Sequence, residues 1–274
     1  MSTYLIGDIH GCYNEFNMIL DQVSFNPEID TLWVTGDLIS RKINSIKVIR
    51  LLYSIRKSVR LVLGNHDLHF LSLYYCANQN HETTLINPNI LVSTDIDKLI
   101  HWLRNQPMLQ IDEEKYIIMT HAGITPQWDI SIARRCAHEL ETMLKSDDYH
   151  LFLQAMYGDT PNQWSEKLSG LERLRFIANA FTRIRYCFLD GQLEMSYKGI
   201  PREAPSNLFP WFKLIRPEIL GNYNIIFGHW ASLMGRGTPT NIYGLDTGCC
   251  WGKKMTLLRW EDKMFTYVPA LLNT

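Results

Sequence analysis

Tyr4-Leu5-Ile6-Gly7-Asp8-Ile9-His10-Gly11 is a short apolar run broken by glycine and followed at once by an acid and a histidine. The same order returns at Gly36-Asp37 and at Gly64-Asn65-His66, each time where an apolar stretch ends. A strand sends successive side chains to opposite faces, so Asp8 and His10 are expected on one face, where both can grip one metal ion. The flanking glycines let the backbone turn tightly and approach a ligand closely. This opening stretch therefore reads as the founding half of a metal site whose other ligands lie further along the chain.

Working outward, Phe16, Ile19, Leu20 and Val23 share one helical face, Thr31 to Thr35 reads as a buried strand, Ser45 to Arg56 as a second helix and Val59 to Leu63 as a third strand. This alternation predicts an α/β protein with its site at the carboxyl ends of the strands. Apolar runs without internal alternation are those of strands buried on both faces. Helices are expected again over Leu68 to Cys76 and Asp95 to Arg104, separated by an Asn- and Thr-rich loop bordering the site. Tyr116 to Met119 is a strand ending in Thr120-His121-Ala122-Gly123, and Tyr223 to Phe227 another ending in Gly228-His229. Ile242 to Leu245 ends in Asp246-Thr247-Gly248-Cys249-Cys250-Trp251-Gly252, and Met255 to Trp260 with Met264 to Val268 closes the chain as an antiparallel pair. Between Pro126 and Pro217 the rhythm changes to a helix over Ser131 to Leu144, loops around Met156 to Trp164, a hairpin through Asp190-Gly191 and scattered prolines. This stretch reads as a partly helical, cap-like insertion at about 126–217 within a single domain spanning 1–274.

The bulk composition bounds the partners. With 27 Lys and Arg against 28 Asp and Glu, the 274-residue chain has a net charge of -1 and only short basic clusters such as Arg134-Arg135 and Arg173 to Arg185. No basic stripe suits a duplex, so no DNA partner is expected. The six cysteines include no CxxC spacing, which argues against a stapled secreted scaffold and for a reducing compartment. No signal-peptide pattern and no run near the roughly 18 apolar residues of a spanning helix is present, so the expectation is a cytoplasmic protein without a membrane partner.

The strand ends assemble a ligand set. Asp8 and His10 are read as holding a first metal, Asn65, His121 and His229 a second, with Asp37 between them. Nitrogen and oxygen donors without thiolate suit manganese, cobalt, iron, nickel or zinc, and three histidines disfavour an all-oxygen magnesium or calcium cage. Two metals about 3.5 to 4 Å apart can share one hydroxide and grip two oxygens of a phosphate. His66, next to Asn65, is placed to act as general acid or to stabilise a leaving oxygen. Arg41, four residues beyond Asp37, and Arg183 are read as phosphate donors, with Arg185 the substitute if Arg183 points away. His69, His81, His101, His138 and His150 are read as structural, and Cys249-Cys250 as packing residues.

The blocks GDIHG, GDLISR, GNHD, HAG and GH resemble those of the calcineurin-like metallophosphoesterase superfamily. The resemblance implies a β-sandwich of two mixed sheets flanked by helices. Ala231 stands where many members have a further histidine, which is more like the branch containing protein serine/threonine phosphatases. The stretches TYLIGDIHGCY, RLVLGNHDLH, HAGITPQWD, FTRIR, FGHWASL and LDTGCCWG are closer still to the symmetrical diadenosine tetraphosphatase family. That resemblance implies hydrolysis of diadenosine tetraphosphate at its central anhydride to two ADP by a metal-bridging hydroxide, with two divalent ions, manganese or cobalt. In the phosphatase block GDxVDRG an acid orients the catalytic histidine, whereas Ser40 takes its place here and Lys42 replaces the last glycine. Serine raises the basicity of His66 less than a carboxylate would, which suits a good leaving group such as ADP. Trp128, Trp230, Trp251 and Tyr157 flank the motifs or lie in the insertion as candidate stacking partners for adenine, and Trp164 belongs with them. The rival substrates are a phosphorylated protein side chain and the nucleoside-tetraphosphate cap of an RNA 5′ end. A catalytically silent binding protein is disfavoured by the presence of Asp37, Asn65 and His66.

Overall fold

Alternate residues of the first strands bury against different neighbours, and this sets a layered architecture. The structure, a computed structural model, describes residues 1–40, 45–79 and 93–271. In chain order it runs β1 (Thr3–Ile6), α1 (Tyr13–Gln22), β2 (Thr31–Val34), α2 (Ser45–Ser54), β3 (Val59–Leu61), α3 (Asn65–Asn78), α4 (Ile96–Arg104), β4 (Leu109–Asp112) and β5 (Ile117–Thr120). There follow α5 (Ile130–Lys145), α6 (Tyr149–Ala155), α7 (Gly170–Thr182), β6 (Tyr186–Cys187), β7 (Leu193–Glu194), β8 (Phe209–Pro210), β9 (Asn224–Phe227), β10 (Ile242–Gly244), β11 (Lys254–Arg259) and β12 (Met264–Pro269). Arg41 and the loop expected between α3 and α4 lie outside the described residues, apart from the ends of that loop.

The first sheet has the order β12-β11-β1-β2-β3, with β1, β2 and β3 parallel and β11 and β12 antiparallel. The second has the order β10-β9-β5-β4, parallel except for β4. Leu5, Trp33 and Leu258 of the first sheet pack against Ile117, Met119 and Ile226 of the second, all buried. Their neighbours Tyr4, Ile6, Leu32 and Val34 turn the other way, into the cluster that includes Phe16 and Ile19 of α1 and Ile49 and Leu52 of α2. Strands buried on both faces are uniformly apolar for this reason. The architecture is the α/β sandwich of two mixed sheets flanked by helices.

The third, small sheet, β7-β6-β8, contains the expected hairpin. Three elements differ from the sequence reading. α7 was hidden because Leu174, Phe176, Ile177, Ala178, Asn179, Ala180, Phe181 and Thr182 are all buried, which erases the polar face that reveals an amphipathic helix. α6 is only seven residues long, and β4 alternates over just four. Segments so short carry little periodic signal.

Candidate metal centre

The carboxyl ends of the central strands converge. β1 leads to Asp8, β2 to Asp37, β3 to Asn65 and His66, β5 to His121, β9 to His229 and β10 to Asp246. Strand alternation does not pair Asp8 with His10 as expected, because β1 stops at Ile6 and both residues lie beyond it. What brings His10 to Asp8 is a left-handed backbone at His10, with φ 47°, held by the His10 N–H donating to the Asp37 carbonyl at 2.8 Å. Asp37 and His229 adopt the same region, with φ 49° and 62°. For residues with a Cβ this conformation is strained by about 1–3 kcal/mol each, so the surrounding fold must impose it.

One carboxylate sits at the middle. Asp37 Oδ2 lies 3.5 Å from His10 Nε2 and 3.4 Å from His121 Nε2. His10 Nε2 also faces Asp8 Oδ2 at 3.6 Å, and His121 Nε2 faces Asn65 Oδ1 at 3.2 Å. Nδ1 of His10 meets the Ile39 carbonyl at 3.2 Å, and Nδ1 of His121 meets the Thr35 carbonyl at 2.7 Å. A carbonyl only accepts, so each Nδ1 carries its proton and each Nε2 is aimed inward as a ligand. Ligand atoms of His10, Asp37 and His66 lie within 4.8 Å of one another, as do those of Asp37, His121 and His229, and the two groups share Asp37. His66 thus stands closer to the first group than its reading as a neighbour implies, its ring 4.8 Å from that of His10.

Several buried groups fix this arrangement. Asp8 accepts from Thr35 Oγ1 at 3.2 Å and, through both oxygens, from the His229 N–H at 3.0 Å. Asp67 accepts from the N–H groups of Asp37, Leu38 and Gly64 at 2.8, 2.9 and 3.0 Å, tying the loop after β2 to the start of α3. It therefore clamps backbone rather than orienting His66. Ser40 Oγ donates to the His10 carbonyl at 2.7 Å. The glycines of the motifs are explained by contact: a Cβ at Gly64 would fall 2.1 Å from Asp37 Oδ1, and one at Gly228 would fall 2.0 Å from Asp8 Oδ1.

The charges are those of a cation site. Burial favours a neutral His10, yet Asp8, Asp37 and Asp246 outweigh it and raise its pKa to about 10. His121 is likewise raised to about 9, against its burial, by Asp37 and Asp8. His121 and His10 hold Asp37 well below the usual carboxylate range despite its burial. Burial, then Arg185 and His121, push His229 well down, and its Nε2 is buried without a hydrogen-bond partner among the described residues. An orphaned imidazole nitrogen beside carboxylates that must otherwise be neutralised by protons fits divalent cations, and a pair sharing Asp37 fits both donor groups.

Asp246 is the site residue that sequence reasoning passed over. It is buried near Asp8, and burial with that like charge raises it to about 8. The signal was available: like Asp8 and Asp37, it follows directly on an apolar run. Arg183 does not point freely at the centre; its guanidinium binds Asp159 at 2.8 Å, Asn179 Oδ1 at 2.9 Å and the Gly158 carbonyl at 3.2 Å. Arg185 is the more buried of the two and donates to the His229 carbonyl at 3.3 Å; burial holds it below its ordinary value against the pull of Asp246 and Asp8.

The aromatic candidates separate by burial. Trp128 and Trp230 are each only 2% exposed. Trp128 packs on Trp164, Phe176 and Phe181, and Trp230 on Tyr186 and Phe212, which leaves no ring face for a base and corrects the stacking role expected of both. Trp251 is 74% exposed on the turn after Asp246, and Tyr157 is 50% exposed beside a cavity of about 240 Å³ that reaches Asn65, His66 and Arg183. His69, read as structural, lines the same cavity.

Comparison with known proteins places these features in context. Residues 1–233 match the family model described as calcineurin-like phosphoesterase. The chain is 62% identical to the symmetrical bis(5′-nucleosyl)-tetraphosphatase of Sodalis glossinidius, over 98% of this chain and 95% of that protein. It is 57% identical to the protein of the same name from an Enterobacter species, over the same shares. Among solved structures, one described as a candidate diadenosine tetraphosphatase superposes with a TM-score of 0.60 at 20% identity, covering 100% of this chain and 95% of the other. At that identity the likeness speaks for the fold.

Proposed function

Because this chain belongs to the symmetrical bis(5′-nucleosyl)-tetraphosphatase family of calcineurin-like phosphoesterases, we propose that it hydrolyses diadenosine tetraphosphate at the central anhydride, giving two ADP. The observation that carries this reading is the shared Asp37 oxygen between two histidine groups, with a cavity of about 240 Å³ beginning at His66.

In this proposal Asp8, His10, Asp37, Asn65, His121 and His229 hold two divalent ions, and the thiolate-free donor set suits manganese or cobalt. When bound, the ions neutralise phosphate charge and make water acidic enough to supply a nucleophile near pH 7. Every other task falls to the chain. At the first turn of α3, which opens at Asn65, the His66 N–H donates to Asp37 Oδ1 at 2.8 Å and holds that carboxylate between the two histidine groups. Burial, then the neighbouring His10 and His121, lower His66 against the pull of Asp37, so it works near pH 7 as a neutral hydrogen-bond donor to the leaving oxygen. The leaving group is ADP, a weakly basic phosphate, and it needs that hydrogen bond more than full protonation. With Arg183 turned to Asp159 and Asn179, Arg41 and Arg185 are proposed to offset the remaining phosphate charge. The segment at about 126–217 is proposed as the cap that limits water around the polyphosphate.

A second substrate class with the same internal anhydride is the nucleoside-tetraphosphate cap of an RNA 5′ end. The test is competition between substrate classes. Manganese-loaded protein is expected to turn over diadenosine tetraphosphate and to leave phosphoserine peptides almost untouched; rapid phosphate release from the peptides with no attack on the dinucleotide would move the protein to the phosphatase branch.

A further inference from the structure

α3 leaves the metal centre at Asn65 and His66 and places His69 one turn further along the same side. The cavity follows that side of the helix, with Leu68, Met156 and Ala178 as its apolar wall. Its aromatic wall is Tyr157. The Tyr157 hydroxyl meets His69 Nδ1 at 2.7 Å, and the two rings stand edge to face, 5.9 Å apart at 84°. The ring is thereby fixed while half of it stays accessible.

The loop that carries Tyr157 is fixed as well, and by a single helix. Arg175 of α7 donates to the Ala155 carbonyl at 2.7 Å and to the Thr160 carbonyl at 3.0 Å, at the two ends of the loop. Asn179 Nδ2 donates to the Gly158 carbonyl at 3.0 Å, and Arg183, just past the helix, holds Asp159 at 2.8 Å. Those contacts assign Arg183 a positioning role that its charge alone does not reveal. A loop held by side-chain donors at its ends and its tip keeps one conformation before any ligand arrives, and binding then orders little that was mobile.

We propose that this cavity is the pocket for one nucleoside of the substrate, its base lying against the Tyr157 ring, with His69 and the α7 side chains holding that ring in place. The proposal rests on the dinucleoside polyphosphate reading above. Phosphates at the start of α3 and a base one turn or more along it match the extended shape of a nucleoside diphosphate.

The experiment compares equilibrium binding of ADP and of inorganic phosphate to the manganese-loaded wild type, Tyr157→Ala, Tyr157→Phe and His69→Ala. Removing a stacking ring is expected to weaken ADP by about tenfold or more, with phosphate affinity held to within roughly twofold. Tyr157→Phe keeps the ring and stays within about threefold of wild type, and His69→Ala, which only frees the ring, falls between the two. Unchanged ADP affinity in Tyr157→Ala overturns the proposal, as does an equal loss for phosphate, which would mean that the substitution disturbs the metal centre. The outcome is separable from the proposed reaction. A wild type that does not cleave diadenosine tetraphosphate while Tyr157→Ala still loses ADP selectively refutes the reaction and leaves the pocket standing; cleavage with unchanged ADP affinity does the reverse.

Discussion

Asp37 Oδ2 faces the Nε2 atoms of both His10 and His121, at 3.5 and 3.4 Å, so one side chain serves both halves of the centre. Asp37→Ala is therefore expected to reduce bound manganese from two ions per chain to fewer than one, by elemental analysis, and turnover by about 10³-fold or more. Gly64→Ala should do nearly as much without replacing a proposed ligand, because its Cβ would fall 2.1 Å from Asp37 Oδ1 and displace that carboxylate; an unchanged circular dichroism spectrum with lost metal would show that the damage is local. His66→Asn is expected to lower kcat on diadenosine tetraphosphate by about 10²-fold, the low end for a general acid, and by more on an alkyl phosphate whose leaving group is more basic. At this scale the sequence was most informative. The proposed ligand types are legible in Asp8, His10, Asp37, Asn65, His121 and His229 because each sits where an apolar run ends. Which donors group together is not, since that depends on left-handed turns at His10, Asp37 and His229 that no local pattern announces.

Two loops and a helix meet at Asp67. Its carboxylate accepts three N–H groups, from Asp37, Leu38 and Gly64, and Asn can replace only one of its two oxygens without turning a donor on a donor. Asp67→Asn is expected to cost about 1–3 kcal/mol and to lower Tm by roughly 3–10 °C in a thermal melt of the metal-free protein. No change in Tm would show that the clamp is not needed. Apart from β4 and β8, the strands were legible, as were the helices α1 to α5, because their apolar runs or stripes are bounded by glycine and polar turns. α7 was not, being buried almost all round over its second half. The same burial hid the role of Arg183, whose partners Asp159 and Asn179 are reached only once α7 and the loop before it are in place.

The centre draws residues from position 8 to position 246 into one buried cluster of carboxylates and imidazoles, and its charge state belongs to the whole fold. In the metal-free protein His10 and His121 have pKa values raised to about 10 and about 9. A raised histidine contributes stability that is complete below its ordinary value, near 6.5, and lost as the pH climbs through the raised one. The metal-free protein is thus expected to lose Tm between about pH 7 and pH 10, while the manganese-loaded protein, with ions in place of the protons, loses much less. Manganese uptake at pH 7 should release protons, measurable in a weakly buffered titration. Whole-molecule packing also decided what sequence could not about the aromatics: Trp128 and Trp230 look like Trp251 and Tyr157 in composition and spacing, and only the assembled core shows that the first pair is 2% exposed. The central claim is the position of bond cleavage, and the most direct measurement is to let the manganese-loaded protein hydrolyse diadenosine tetraphosphate in ¹⁸O-water and to separate and weigh the products. Attack at the central anhydride gives ADP as the only nucleotide, with a single ¹⁸O for each substrate molecule cleaved; AMP together with ATP would place the cleavage elsewhere and contradict the proposed reaction.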